Sequence, residues 1–375
     1  KSFTPTFVGD KSIKFDGTDD RITTSADSTL ATKTYSFWAK STKTTAGGVF
    51  DHGDLNHGAF FLHFSNGRPL VYLANGWFRY WEDVSSQDDG TWHHYLVLLH
   101  TNINNTKLFV DGVEQSVNET NTSSGSALAY TTGIRIGRGG GFYFDGSLDE
   151  FAIFDGDQSA LADELYNNGQ PKNLSSYSTL DHWFRMGEGK LDGKSDGDEN
   201  LLFDQGPNGG LGSELVTNGD LSTWTDTDTI ATWNHKDSNN NSGGGVISQV
   251  GSGEGSGGTG LGSANFFTAS ATTMRLTSGV VSEAGKSYQL EIEVSRYVQG
   301  IIRVQGAVAQ DFGASDIVNG KIVKLFTAAS ATYIRVQGSD ACDFTIDSIS
   351  LKEVNGNTGT ITGATIQTDA PKAIM

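Results

Sequence analysis

The chain has 375 residues, with 44 Asp and Glu against 26 Lys and Arg, for a formal charge of -18. That balance argues against nucleic acid, whose phosphates would repel it, and against insertion into or adsorption onto anionic membranes. A lone Cys342 excludes an intramolecular disulfide and a Cys-rich zinc site, and no run of about 18 apolar residues marks a membrane span. The length suits two or three domains, each able to bury a core. Gly 48 against Pro 5, with abundant Thr, Ser and Asn, fits an all-β chain with many tight turns. No basic-then-apolar leader stands at Lys1, which fits a fragment or a processed product. Charge and composition together suit a virion surface or an extracellular setting, tolerant of Ca²⁺.

After a lead-in of residues 1–11, the first predicted strand holds Ile13 and Phe15 on one side, and Asp16-Gly17 turns the chain. Tyr35–Lys40, Ala59–Phe64 and Leu70–Leu73 follow as strands. In Trp77-Phe78-Arg79-Tyr80-Trp81, Trp77, Arg79 and Trp81 share one strand face, and Phe78 and Tyr80 share the other. One set belongs to the core. The set Trp77, Arg79 and Trp81 is the candidate glycan surface, because a sugar presents an apolar C–H face that aromatic rings can cover. The alternative is a sheet face covered by a neighbouring module. Thr91–Leu99 reads as a buried strand, and Lys107–Glu114 as a hairpin around Asp111-Gly112. Asp51, His52, Asp54 and His57 form a loosely spaced metal candidate in a Gly-rich loop.

Phe142–Pro171 then closes the module. Phe142 and Phe144 alternate with Tyr143 and Asp145; Leu148, Phe151 and Ile153 continue the strand. Ser159 is the expected N-cap of a short helix, Leu161 and Leu165 lie on one face of it, and Gly169 and Pro171 stop it. Phe144, Gly146, Leu148–Phe151, Leu161, Leu165, Tyr166 and Gly169 resemble the closing segment of laminin-G-like domains of the concanavalin A-like lectin/glucanase superfamily. Phe15-Asp16-Gly17, Ser36-Phe37-Trp38-Ala39, Trp92-His93 and Val110-Asp111-Gly112 fall in that family's order. The resemblance covers nearly all of residues 12–174 and implies a jelly-roll sandwich over residues 12–178. Fold likeness alone does not fix function, since this superfamily hosts lectins, glycosidases and adhesion modules. Its retaining glycosidases have the string Glu-x-Asp-x-x-Glu, which sets two carboxyls across the scissile bond. No such string occurs here, so catalysis is not expected.

His182–Gly189 and Leu202–Gln205 resemble the opening of another laminin-G-like repeat, whose usual continuation is found only at Asn357–Ala364. The expected organisation is a bridging β segment of residues 179–206 and 356–370, interrupted by an inserted module of residues 207–355 and followed by a tail of 371–375. Within the insert, Tyr288–Val294 alternates strictly, and Ile-Arg-Val-Gln-Gly occurs twice, at 302–306 and 334–338. Two copies are too few for a solenoid and read as equivalent strands of one jelly roll.

Leu215–Ser222 and Asp347–Leu351 resemble the ends of galactose-binding-like carbohydrate-binding modules. That resemblance implies a structural Ca²⁺ at Asp220 and Asp347, and places Trp224 and Trp233 either in the core or on a sugar platform. The combination resembles structural and fibre proteins of tailed bacteriophages. The implied function is a non-catalytic virion surface or fibre protein, or an adhesin, binding glycans or a host cell surface. Its other implied partners are virion proteins and further copies of itself in a homo-oligomer. The alternatives are a purely structural virion protein with protein–protein contacts only, a secreted bacterial adhesin, and an accessory binding region of a polysaccharide-degrading enzyme.

Overall fold

The computed structural model describes residues 9–24, 32–43, 45–52, 59–65, 68–73, 77–82, 88–122, 133–189, 192, 201–207, 209–225, 230–237, 245–249, 262–269, 274–356 and 358–371. The chain forms two compact units. Of the described residues, one takes those up to Gly210 and again from Gly356; the other takes Leu211–Asn355.

The first unit is a sandwich of two antiparallel sheets. In spatial order one sheet holds Val113–Glu114, Lys107–Val110, His93–Leu99, Lys33–Lys40, Asp145–Asp155, Ser12–Asp16 and Thr365–Gln367. The other holds Val117–Asn121, Trp77–Trp81, Arg68–Leu73, Ala59–Ser65, Gly47–His52, Ile134–Ile136, Arg21–Thr24, Thr358–Thr362 and Leu201–Phe203. Between them lies an apolar core with an aromatic centre. Tyr35 stacks on Phe50 at 4.4 Å, and Phe37 stacks on Tyr95 at 5.5 Å and on Phe151 at 5.7 Å. Such offset pairs add to the hydrophobic burial of the rings.

The first sheet is also buried on its other face. A second cluster of Leu96, Phe109, Ala152, Phe154, Leu165 and Trp183 forms there beneath the short helix. Lys33–Lys40 is therefore buried on both faces along almost its whole length. The helix itself is a 3₁₀ turn, Ser159–Leu161, running into Ala162–Tyr166. Ser159 is not its N-cap; the Asp157 carboxylate instead accepts the Ser159 N–H at 2.9 Å. Asn167, at φ 48°, ends the helix in the left-handed region.

One aspartate geometry occurs twice in this unit. Asp111 accepts the His94 N–H at 2.9 Å and meets His93 Nδ1 at 2.6 Å. Asp204 accepts the Trp183 N–H at 2.8 Å and meets His182 Nδ1 at 2.7 Å. Each clamps a turn onto a strand. Trp92-His93 and Val110-Asp111-Gly112 are thus two ends of one structural contact. Leu201–Phe203 pairs with Thr358–Thr362, which also pairs with Arg21–Thr24. Leu180–Phe184 and Thr365–Gln367 join the opposite sheet. The segments flanking Leu211–Asn355 in sequence are therefore strands of the first sandwich rather than a separate body.

The second unit is organised by two long strands, Ser287–Gly306 and Tyr333–Asn355, paired along their length. The first half of Tyr333–Asn355 also pairs with Met274–Val280, and its second half with Ala264–Thr268. The ribbon thus links several strands of one sheet, and the register shifts between Glu293 and Ile301 mark its bend. Cys342 packs there as a small buried hydrophobe. Gly300 at the bend has φ +102°, and a Cβ on it would stand 2.4 Å from the Cys342 Cβ. Gly285, in the same unit, has φ +80° but open space around it.

Gly300→Ala should therefore cost roughly 2–4 kcal/mol, from the left-handed backbone plus the clash. Gly285→Ala should cost only the backbone part, about 1 kcal/mol. Urea unfolding of both variants measures the difference. Equal costs would show that the bend yields to a side chain.

Candidate functional site

Trp77–Trp81 is the next-to-edge strand of its sheet, between Arg68–Leu73 and Val117–Asn121. Alternation sends its side chains to two faces, and the structure decides which face is wet. Trp81 is fully buried in the core, and Trp77 packs against that core while donating its indole N–H to the Thr122 carbonyl at 3.1 Å. Arg79 donates to the Thr106 and Asn104 carbonyls and to Thr120 Oγ1 at 3.0 Å. Its guanidinium is thereby committed to the turn Ile103–Asn105, and burial lowers its pKa. Trp77, Arg79 and Trp81 are consequently the inward set, which corrects the sequence-based assignment. The cause is the register: Val71, opposite Arg79, is itself a core residue.

The outward set is Phe78 and Tyr80, both half-buried, with rings 5.3 Å apart in a T-shaped pair. Tyr72 lies opposite Phe78 on one side. On the other, Asn121 lies opposite Phe78, and Glu119 opposite Tyr80. Three aromatic rings flanked by an amide and a carboxylate therefore share one face of the sheet. The sequence signal for them was the same alternation that marked the tryptophans; only the burial of the partner strands separates the two sets.

A second cluster lies along Asp145–Asp155. Asp149 and Glu150 are both buried, and Glu150 sits at φ 48° where the pairing with Lys33–Lys40 shifts register. Glu150 accepts the Trp183 indole N–H at 2.6 Å and the Arg185 Nε–H at 3.2 Å. Arg185 also donates to Glu188 at 2.8 Å, and Glu188 accepts the Lys11 N–H at 2.7 Å. Burial pushes Glu150 from the ordinary 4.5 up to about 7, against the pull of Arg185 and Trp183. Burial, and then the neighbouring Glu150, likewise push Asp149 well above the ordinary carboxylate range. Nearby Asp192 is raised by burial to about 6 although the Phe203, Gly189 and Gly187 N–H groups favour its charge. These carboxyls are sealed from solvent, so they shape the fold and do not reach a substrate.

The metal candidates separate in the same way. Asp51 is held by Arg135 and Arg138, and His52 Nδ1 meets the Tyr35 hydroxyl at 2.7 Å inside the core. Asp54 and His57 lie outside the described residues. Asp220 is exposed and accepts from Ser222, while Asp347 accepts from Ser295 and Ser263. Among the described residues, neither belongs to a group of three potential metal ligands. The group that exists is Asp16, Asp19 and Asp20, whose oxygens lie within 4.8 Å of one another. Burial raises the pKa of Asp20, and the charges of Asp16 and Asp19 raise it further. A hard cation would relieve that repulsion, with waters or carbonyls completing its oxygen shell.

Trp233 is 5% exposed and donates to the Asn218 carbonyl at 3.1 Å. Trp224 is partly buried, packs on the core and donates to the Leu221 carbonyl at 2.7 Å. Both brace the Leu215–Ser222 turn rather than forming an open platform.

Residues 16–162 match a family model described as the concanavalin A-like lectin/glucanases superfamily, of the laminin G type. This segment is laminin-G-like. Among solved structures, the chain is similar to a native heptameric SAP-like pentraxin from Limulus polyphemus. There the identity is 15% and the TM-score 0.34, covering 42% of this chain and 82% of that one. It is also similar to a putative carbohydrate binding protein from Bacteroides ovatus, at 13% identity and a TM-score of 0.38, covering 52% of this chain and 55% of that one. Domains LG4-5 of the mouse laminin alpha1 chain align at 10% identity and a TM-score of 0.32, covering 96% of this chain and 84% of that one. No curated protein sequence matches.

The buried carboxyls of the laminin-G-like unit give a pH dependence of fixed sign. Between about pH 4.5 and 7 the folded state keeps a proton on Glu150 that the unfolded chain has lost. Stability therefore falls as pH rises through that window, and Asp192 acts in the same sense. Glu150→Gln should flatten the decline by at most ~1.4 kcal/mol per pH unit. Urea unfolding at several pH values checks this; an unchanged slope in the variant would show that Glu150 is ionised throughout.

Proposed function

We propose that this chain is a non-catalytic glycan-binding protein of a virion surface, with Tyr72, Phe78 and Tyr80 as its sugar platform. The supporting observation is the placement of those three rings on the outward face of the laminin-G-like sandwich, beside Asn121 and Glu119. Stacked aromatic rings cover the C–H face of a pyranose, and the flanking polar groups address its hydroxyls. The absence of catalysis is supported by the sealing of Asp149 and Glu150, because a glycosidase needs two carboxyls open to the scissile bond. The virion setting is supported by the charge of -18 and by the single, buried Cys342. Single contacts of this kind are weak; a homo-oligomer displayed in many copies among other virion proteins multiplies them into attachment to a host cell surface. Ca²⁺ belongs to the same reading as a structural ion, at Asp16, Asp19 and Asp20 rather than at Asp220 and Asp347.

A glycan and host-envelope binding screen of the multimerised chain, with Ca²⁺ and with chelator, tests this. Phe78→Ala and Tyr80→Ala should each weaken binding about tenfold, or ~1.4 kcal/mol, with little change in melting temperature. Trp81→Ala should instead cost about 3–5 kcal/mol of stability. No binding by the folded chain would move the function to virion contacts between proteins.

A further inference from the structure

The two Ile-Arg-Val-Gln-Gly copies lie side by side. They pair antiparallel with Val304 opposite Val336, so Arg303 faces Gln337 and Gln305 faces Arg335 across a local two-fold. Ile302, Val304, Ile334 and Val336 are all fully buried, which turns both arginines and both glutamines to the opposite face. The next strand adds Arg275 opposite Gln337, and Thr277 opposite Arg335. Tyr333 ends the row, with the Arg335 guanidinium 4.8 Å from its ring centroid.

The groups on this face are prepared to different degrees. Arg335 is held in place by Thr277 Oγ1 at 3.2 Å and Gln305 Oε1 at 3.4 Å. Arg303 makes a two-pronged contact with Asp311, at 2.6 and 2.7 Å. The Gln337 side chain, only 6% exposed, and the Arg275 side chain between them have no hydrogen-bond partner among the described residues. Three arginines and Asp311, which pairs with Arg303, thus lie on this face in a chain whose formal charge is -18.

We propose that this face of the second unit binds an acidic polysaccharide through the carboxylate or sulfate groups of its sugars. The Asp311 carboxylate on Arg303 already shows the geometry in which a ligand carboxylate would be received, since a guanidinium binds planar oxyanions with two parallel hydrogen bonds. Arg275 and Arg303 lie two strands apart, about 10 Å. That is comparable with two sugar residues of an extended chain, so neighbouring arginines can take successive acidic groups. Gln337 lies between them, buried beneath the row. Tyr333 offers an aromatic edge to the ring. This site is separate from Phe78 and Tyr80 and requires neither.

The test is binding of the full chain to polygalacturonate, dextran sulfate and unsubstituted dextran, by calorimetry at low and raised salt. Polygalacturonate or dextran sulfate should bind, more weakly at raised salt, and dextran should not. Which of the two binds more tightly separates carboxylate from sulfate as the recognised group. Arg275→Gln and Arg335→Gln should each weaken that binding about fivefold or more. Asp311→Asn should strengthen it several-fold by removing the carboxylate that competes with the ligand for Arg303. Phe78→Ala should leave it unchanged, which separates this site from the aromatic face of the laminin-G-like unit. Arg275 has no hydrogen-bond partner among the described residues, so its variant removes no described contact; unchanged melting curves confirm that the fold is kept. Equal binding of dextran, no binding of either acidic polymer, or full binding by Arg275→Gln would overturn the proposal.

Discussion

The first sandwich depends on what happens at Glu150. The strand Asp145–Asp155 pairs with Lys33–Lys40 along one edge. Its other edge is shared end to end, by Ser12–Asp16 over residues 145–148 and by Leu180–Phe184 over residues 151–154. Two strands meeting on one edge leave a junction where the backbone ladder cannot continue. The left-handed turn at Glu150 falls at that junction, and its carboxyl is placed where Trp183 and Arg185 can reach it. Arg185 then holds Glu188, and Glu188 holds the N–H of Lys11 at the start of the other strand. A buried carboxylate costs several kcal/mol unless it is paired, so this network is favourable only when all three segments are in place. The junction therefore couples the closing strand to residues on both sides of it in sequence.

This explains why the closing segment was the most legible part of the chain. Leu148, Phe151 and Ile153 announce a strand by alternation, but Asp149-Glu150 in the middle of a buried strand conflicts with local propensity. Such a conflict marks a site where tertiary structure decides, and here the tertiary partner is the segment around Trp183. The same logic made Trp92-His93 and Val110-Asp111-Gly112 readable as motifs without revealing that Asp111 joins them. His182 and Asp204 repeat the arrangement, which accounts for the likeness of that segment to a second domain opening. It is instead a strand of the same sandwich.

Burial was harder to read than strand position. In Trp77–Trp81 the period of two divides the residues correctly, yet it is symmetric between the faces. Choosing the tryptophans as the surface set weighted chemical suitability for sugars over volume, and large rings fill a core equally well. Val71 and the carbonyls of Asn104 and Thr106 break the symmetry, and none of them is close to Arg79 in sequence. Asp220 and Asp347, which belong to no group of three potential ligands among the described residues, illustrate a related point. Two carboxylates belonging to one motif pair do not make a cation shell unless further oxygens converge on them, and convergence is a property of the fold alone. The acidic turn Asp16–Asp20 has that convergence because its three carboxylates share one tight turn.

The duplicated Ile-Arg-Val-Gln-Gly shows how repetition acquires meaning from register. As separate strands the copies would present two unrelated Arg/Gln pairs. Antiparallel pairing about Val304 and Val336 converts them into a four-residue patch with a two-fold, and one residue of slip would turn every arginine into the core. The buried Ile and Val of each copy therefore fix the position of the polar groups as firmly as any hydrogen bond between them. Hydrophobic patterning supplies the rigidity, and the polar residues need no conserved loop to be held. A flat sheet face built this way exposes few groups that move on binding, so ordering side chains removes little from the affinity. Arg303 and Arg335 are already ordered by Asp311, Thr277 and Gln305, and Gln337 is buried, which leaves Arg275 as the group whose entropy a ligand would have to offset.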